Sequence, residues 1–456
     1  MIAATEIAES LGSLLRERRV GTAARFRSVV VDSRQAGRGD LFVALPGERT
    51  DGHEFVLAAV AAGARGVLVR TAPDDLPDGV AAFVVGDTLA ALQRLAAGRR
   101  NRRRARVIGV TGSVGKTTTK EITASVLSTR YEVLKNEANY NNEIGLPLTL
   151  LELRHRHRRA VLEMGMYALG EIRALCEIAR PDVGVVTNVG PAHLERMGSL
   201  EAIAAAKAEL PESLPPHGFA VLNAADPLVM AMADRTRARP LSYGTAADAD
   251  VRASEIESRG LEGVSFRLHW HGESARVETK LPGRHSVSNA LAAAAVALAD
   301  GMPVADVAAA LGEVQPPLRI QMHPLKGGGT LLDDTYNAGP ASMAAALDLL
   351  AEIPGRRIAV LGDMLELGPA EREEHLALGR RAAETVDVLH TVGELGALIA
   401  EAAREAGLRE THHWPDKDAA GEALAAGLRP DDIVLLKASR ALALETLVPL
   451  LKERNG

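Results

Sequence analysis

Residues Val107 to Glu121 read VIGVTGSVGKTTTKE, an apolar strand, a glycine loop and a helix that opens with Lys-Thr-Thr. No other stretch limits the fold so strongly. A strand that feeds a helix through such a loop belongs to a parallel α/β sheet. The loop N–H groups and the helix N-terminus face an anion, which points to the phosphates of a nucleoside triphosphate. Lys116 would charge-neutralise the β- and γ-phosphates, and Thr117 would offer its hydroxyl to Mg2+. The common phosphate-loop pattern has Gly at the position of Val110. Here the glycines are Gly109, Gly112 and Gly115, so the loop is a variant. The alternative is a plain Gly/Thr turn, which leaves the strand, the three glycines and the three threonines after Lys116 without a purpose.

The chain has 456 residues, too many for one ordinary core, so two or three domains are expected. Hydrophobic residues make up 47% and charged residues 25%, a globular balance. Aromatics are only 3%, so the core must rest on Val, Leu, Ile and Ala. A net charge of −6 argues against a general nucleic-acid binder. Cys176 is the single cysteine, which forbids an intrachain disulfide and suits a reducing compartment. The N-terminus, MIAATEIAESLGSLL, carries acids where a signal peptide carries bases. The Ala-rich run Ala290–Ala299 is too short to span a bilayer. The expectation is a cytoplasmic protein without membrane contact.

Three units are expected, at residues 1–104, 105–314 and 315–456. In the first, Phe26–Val31, Leu41–Leu45 and Gly66–Val69 read as strands and His53–Ala62 as a helix. The run Arg99–Arg106, RRNRRRAR, has no interleaved aromatics and reads as a solvated linker or helix end rather than a nucleic-acid patch. In the second unit, Ala160–Glu163, Val183–Asn188 and Phe219–Asn223 are short apolar strands between helices, as in a parallel sheet covered on both faces. Val251–Leu281 alternates like an antiparallel hairpin set, and the helix Val287–Ala299 follows, with a second ending near Leu311. Gln315-Pro316-Pro317 is a hinge by its paired prolines. Beyond it, Thr330–Asp333, Arg357–Leu361, Val386–His390 and Ile433–Lys437 read as the strands of a third α/β unit.

Chemistry-bearing residues collect at predicted strand ends. Glu163 ends a strand, where an acid beside a phosphate loop can meet the Mg2+ held by Thr117; a helix cap is the alternative. His193 follows another strand and faces the crevice at strand carboxyl ends. Lys207 sits on an Ala-rich helix and, alone, reads as a snorkelling surface lysine.

Taken together, these residues give the chain a resemblance to the Mur ligases, over nearly its whole length. The N-terminal part is VVVDSRQAGRGDLFVALPGERTDGHEF. The centre is TGSVGKTTTKE, NYNNEIGLPLTLLEL, VLEMGM, TNVGPAHLERMGS, AKAEL and GRHSVSN. The C-terminal part is DDTYNAGPASM, VLGDMLELG and VLLKASRALALE. The chain is most similar to the branch that adds a dipeptide. The resemblance implies an N-terminal uridine-nucleotide-binding α/β domain, a central parallel-sheet ATPase domain and a C-terminal Rossmann-like domain. It implies ATP binding by Thr111, Gly112, Ser113, Val114, Gly115, Lys116, Thr117 and Thr118, with His285 and Asn289 near the adenine. Arg319 and Asp334 would reach the nucleotide from the third domain. It implies two Mg2+ sites served by Thr117, Glu163, His193 and a carbamylated Lys207. Lys116, Lys207 and His193 would be catalytic. Asp32, Ser33, Arg34, Thr50, Asp51, Gly52 and His53 would border the uridine diphosphate. Asn139, Asn141 and Asn142 would lie near the reacting centre, and Lys437, Ser439 and Arg440 on a substrate-facing turn. The chain departs from the family at Ser286, Leu318, Gly339 and Ala438, where Asn, Gly, Asn and Gly are usual, and at Asn136, where Thr is common.

The implied activity is ATP-dependent amide formation between UDP-N-acetylmuramoyl-tripeptide and D-alanyl-D-alanine, by a monomer. The nearest rival is the ligase that adds the third amino acid, but TYNAGP stands where that enzyme has a Tyr-Ala-His stretch. A folylpolyglutamate synthase would lack this N-terminal unit. A non-enzymatic nucleotide switch would need the loop but not Glu163, His193 and Lys207 as a set.

Overall fold

The structure is a computed structural model, and it describes residues 1–47, 50–137, 139–315 and 320–453. The expected hinge prolines Pro316 and Pro317, and Arg319, lie outside the described residues.

The central sheet has nine strands. Seven of them are parallel, in the order Val251–Ser258, Arg239–Gly244, Phe219–Asn223, Val183–Val186, Arg106–Thr111, Arg159–Glu163 and, at the edge, Val133–Lys135. Val264–Trp270 and Glu273–Thr279 extend the other edge antiparallel. The expected antiparallel hairpin set is present and continues the central sheet at that edge. The loop strand Arg106–Thr111 lies between Val183–Val186 and Arg159–Glu163. That order puts the ends of both neighbours beside the glycine loop, where open α/β sheets bind ligands.

The helix Ser286–Ala299 shows why this sequence is so rich in alanine. Eleven of its residues are buried, and it packs against the loop helix Lys116–Ser128. A helix apolar on all sides belongs inside. Small side chains let the two backbones approach, which sets Asn289 beside the loop.

The N-terminal sheet has five strands in the order Leu15–Arg19, Ala81–Val85, Gly66–Val69, Leu41–Val43 and Val29–Val30, parallel except for the first pair. The expected strand Phe26–Val31 is split: Arg25–Phe26 pairs with Ile2–Ala3, and only Val29–Val30 joins the larger sheet. The expected helix from His53 begins as a tight turn, Gly52–Phe55, and is α-helical only over Val56–Ala61.

The arginine run is not solvated at its start. Arg99 is 3% exposed and its guanidinium pairs with Glu6 at 3.1 Å. Arg100 donates to the carbonyl of Ala179 at 2.8 Å, and Arg102 to Ser10 Oγ at 2.8 Å. Long stems bury while fork-shaped heads find carboxylates and carbonyls. The run fastens the N-terminal helix to the central region.

The C-terminal sheet has six strands in the order Gln321–Pro324, Thr330–Asp333, Asp432–Lys437, Arg356–Gly362, Val388–Val392 and Thr411–Trp414, parallel except for the first pair. Gln321–Pro324 and Thr411–Trp414 are edge strands with polar residues, which periodicity alone does not reveal. The expected strand at Val386 starts two residues later.

Candidate active site

The glycine loop is fixed by the segment that follows Val183–Val186. Asn188 accepts from the Val114 N–H at 2.8 Å and donates to the Val114 carbonyl at 2.9 Å. Thr187 Oγ1 donates to that carbonyl at 2.6 Å, and Ser113 Oγ to the Gly190 carbonyl at 3.0 Å. Thr111 Oγ1 donates to the Met164 carbonyl at 2.9 Å. Gly112 has φ +146°, and a Cβ there would stand 1.9 Å from Thr187 Oγ1. Only glycine lets the chain pass. Lys116 Nζ donates to the carbonyls of Gly112 at 2.8 Å and Ser113 at 3.2 Å, so its stem arches over the loop. Thr118 lies in the first turn of the helix Lys116–Ser128.

Glu163 stands at the end of the neighbouring strand and is 3% exposed. It accepts from Thr117 Oγ1 at 2.8 Å and from Asn141 Nδ2 at 2.9 Å. Its backbone is clamped by Asn136, which accepts from Glu163 N at 2.9 Å and donates to Glu163 O at 3.0 Å. The buried Lys120 in turn donates to the Asn136 carbonyl at 2.6 Å. The amide accepts on Oδ1 while Nδ2 donates both to Glu163 O and to the Tyr140 carbonyl at 2.8 Å, and a Thr hydroxyl has only one donor.

His193 and Lys207 complete the group. Tyr167 presents its ring edge-on to His193, with centroids 5.0 Å apart. His193 Nδ1 lies 2.5 Å from Glu366 Oε2 of the C-terminal region. Burial pushes the His193 pKa down, against a smaller upward pull from Glu366. Lys207 is 3% exposed; burial first and Lys116 second push its ammonium well below the ordinary lysine range. Burial of this kind favours the neutral amine over the ammonium. Its surface reading fails because its helix, Leu200–Glu212, turns that face toward the loop. Lys116, Asn142, Tyr167, His193 and Lys207 line one cavity of about 230 Å³. Glu163 borders it through Asn141. Among the described residues no three His, Cys, Asp or Glu side chains form a ready metal cage.

Two further cavities flank this one. Val114, Gly115, Thr118, His285, Asn289 and Asp334 line a space of about 100 Å³ on the far side of the loop. Asn289 Oδ1 accepts from Thr119 Oγ1 at 3.1 Å, and burial lowers the His285 pKa. Asn139, Tyr167, His193, Tyr336, Ser439 and Arg440 line an open cleft of about 560 Å³. Lys437 does not share that cleft. It is 2% exposed, pairs with Asp334 at 2.7 Å and lines the Asp334 cavity instead, because the strand Asp432–Lys437 carries it inward.

The N-terminal set lines none of these three cavities. Asp32 caps the turn holding Ser33 and pairs with Arg34 at 2.7 Å, which holds its carboxyl below the usual range. Asp51 accepts from the His53 N–H at 3.0 Å, and His53 Nε2 accepts from the Arg70 N–H at 2.8 Å. Thr50 and Gly52 shape the same turn through bonds to Gly47 and Leu45. The helix Val56–Ala61 packs on both turns, so the two halves of the set are neighbours.

Sequence reasoning missed Glu366, Tyr167, Asn188 and the bracing by Asn136. Glu366 lies inside VLGDMLELG and Asn188 inside TNVGPAH, so the motifs were visible while their contacts were not.

Three family descriptions match in order: Mur ligase family, catalytic domain, over residues 25–100; Mur ligase middle domain over 110–297; and Mur ligase, glutamate ligase domain over 318–440. The UDP-N-acetylmuramoyl-tripeptide–D-alanyl-D-alanine ligase of Synechocystis is 42% identical over 94% of this chain and 93% of its own length. A crystal structure of MurF from Acinetobacter baumannii superimposes with a TM-score of 0.89 at 34% identity, covering 99% of each chain. MurF ligase from Thermotoga maritima in complex with ADP gives 0.82 at 30% identity, covering 94% of this chain and 97% of its own. On these matches, the chain belongs to the Mur ligase family.

Proposed function

We infer that this chain joins D-alanyl-D-alanine to UDP-N-acetylmuramoyl-tripeptide, using ATP, through an acyl-phosphate intermediate. The observation that supports this most is the convergence of Lys116, His193 and Lys207 on one cavity, with Glu163 at its border and the Ser439–Arg440 turn opposite. Relatives of that name share about 40% of their residues with the chain over nearly full length.

In the first step a tripeptide carboxylate oxygen attacks the γ-phosphorus of ATP and ADP leaves. The loop N–H groups and Lys116 meet the charge on the phosphate oxygens, a task of placement and electrostatics. His285, Asn289, Asp334 and Arg319 hold the nucleoside end. In the second step the amine of D-alanyl-D-alanine attacks the acyl carbon, the C–O bond breaks and phosphate departs. Asn139, Asn141, Asn142, Ser439 and Arg440 place the acceptor, while Asp32, Ser33, Arg34 and the Thr50–His53 turn hold the uridine diphosphate. Closing the C-terminal region over the cleft keeps water from the acyl phosphate.

The donor set fits Mg2+, which favours hard oxygens and leaves positions to substrate phosphates and water. Thr117, Glu163 and His193 would hold it, with Lys207 as a carbamate, in two sites; a neutral buried amine is the form that takes up CO2. When bound, Mg2+ neutralises phosphate oxygens during transfer. The protein would act as a cytoplasmic monomer with small-molecule partners only, without nucleic acid or membrane. No helix among the described residues is long and apolar enough to cross a membrane.

The test is phosphate release from ATP with UDP-N-acetylmuramoyl-tripeptide, supplying D-alanyl-D-alanine or single amino acids. Release and amide formation with the dipeptide are expected. Preference for a diamino acid on the dipeptide precursor would move the chain to the preceding ligase, and release without any acceptor would make it a nucleotide switch.

A further inference from the structure

The loop after the strand Arg356–Gly362 has its own anchors and one outward contact. Asp363 Oδ1 accepts from the Gly396 N–H at 2.8 Å, and the Met364 N–H donates to His375 Nε2 at 2.9 Å. The Leu365 N–H donates to Ser439 Oγ at 2.9 Å, and the Ser439 N–H to the Asp363 carbonyl at 2.9 Å. The loop and the Ser439–Arg440 turn are therefore joined into one piece. That piece touches the central region at the short helix Leu194–Met197. The Glu195 N–H donates to the Glu366 carbonyl at 3.3 Å, and a Cβ on Gly368 would stand 3.0 Å from Glu195 Cα. Between them, Glu366 Oε2 meets His193 Nδ1 at 2.5 Å.

We propose that Glu366 is a positioning residue of the amide-forming reaction, reaching from the C-terminal region to fix which nitrogen of His193 faces the substrates. The proposal rests on the functional reading above. A carboxylate only accepts, so it requires the proton on Nδ1 and leaves Nε2 with its lone pair. Outer partners of this kind orient histidines that serve as ligands. The backbone supports a built contact. His193 has φ +64° and Glu366 φ +65°, both in the left-handed region that non-glycine residues seldom occupy. Such conformations persist when the surroundings over-determine them, and they cluster at functional sites. An exposed ion pair made only for docking would gain little and would not need this geometry. The consequence is that His193 is correctly set only while the C-terminal region is docked, so the amine-binding turn and the phosphate side are completed together.

Three variants test this: Glu366→Ala, Glu366→Asp and Glu366→Gln. Gln keeps an oxygen that accepts from Nδ1–H; Asp is one methylene short. Two readouts are needed, steady-state kinetics and the 15N spectrum of histidine-labelled protein, which reports the His193 tautomer. Glu366→Ala and Glu366→Asp should lower kcat at least tenfold, with KM for ATP changed less than threefold. Glu366→Gln should stay within threefold of the parent. His193 should show a protonated Nδ1 in the parent and Gln variant and shift toward a protonated Nε2 in the Ala variant. A kcat for Glu366→Ala within twofold of the parent, a Gln variant as impaired as Ala, or an unchanged tautomer in Ala would overturn the proposal. A parent chain that forms no amide would instead overturn the functional reading, and this assignment with it.

Discussion

The phosphate loop hangs between two buried parallel strands, and Thr187, Asn188 and Thr111 hold it from three directions. The wall across the cleft is built otherwise: Tyr336 is 48% exposed and Leu365 40%, and Arg440 pairs only with the nearby Glu445 among the described ion pairs. The first wall is preorganised by the central core before any substrate arrives. The second depends on how the C-terminal region docks, chiefly through Glu366. Phosphate chemistry needs fixed donors, since their placement is what stabilises developing charge. Acceptor binding needs a surface that can open, admit an amine and close. The contrast therefore matches the order of the two chemical steps.

Substitutions on the fixed wall should be the most damaging. Lys116→Ala should lower kcat by about 1,000-fold, with little change in thermal midpoint because Nζ bonds loop carbonyls rather than packing in the core. Retention of a tenth of the activity would remove Lys116 from the phosphate site. Lys207→Ala should cost about 100-fold, and short carboxylates added to the assay should restore part of the loss by standing in for the carbamate. Full activity without rescue would return Lys207 to a structural role. Asn188→Ala removes two bonds to Val114 and should raise KM for ATP about tenfold; an unchanged KM would mean the loop holds its shape without that brace.

The more exposed wall should respond more gently and in a different constant. Arg440→Ala should raise KM for the dipeptide about fivefold with KM for ATP unchanged. An equal rise in both would show that the turn serves the nucleotide as well. The smallest effect belongs to Cys176. Its thiol is buried against Met164, and burial pushes its pKa up to about 12. At pH 8 it should resist iodoacetamide until the chain unfolds, as mass spectrometry can read; rapid labelling of active enzyme would show that the central core opens readily.

Much of the fixed wall was legible because its parts are local. A strand, three glycines, a lysine and threonines follow one another between Val107 and Thr119, and that local order already specifies the strand–loop–helix turn, while the braces from Thr187 and Asn188 come from elsewhere in the chain. Glu163 at one strand end and His193 beyond another could be placed by the rule for parallel sheets. What stayed hidden depends on contacts distant in the chain. Nothing local tells that Lys207 faces Lys116 or that Arg99 is buried on Glu6. Nor does it tell that Glu366 meets a histidine 173 residues away. The inward turn of Lys437 was missed for a related reason, since a strand's alternation reads as two faces and not as which face holds the ion pair. The split of Phe26–Val31 between two sheets is likewise a tertiary decision that β-propensity cannot express.

The central claim is that this cleft activates a carboxylate by phosphoryl transfer before an amine arrives. The direct measurement uses UDP-N-acetylmuramoyl-tripeptide labelled with 18O in the reacting carboxylate, with ATP and D-alanyl-D-alanine. One labelled oxygen should appear in the released phosphate for each amide formed from fully labelled substrate. Amide formation with unlabelled phosphate would contradict the account.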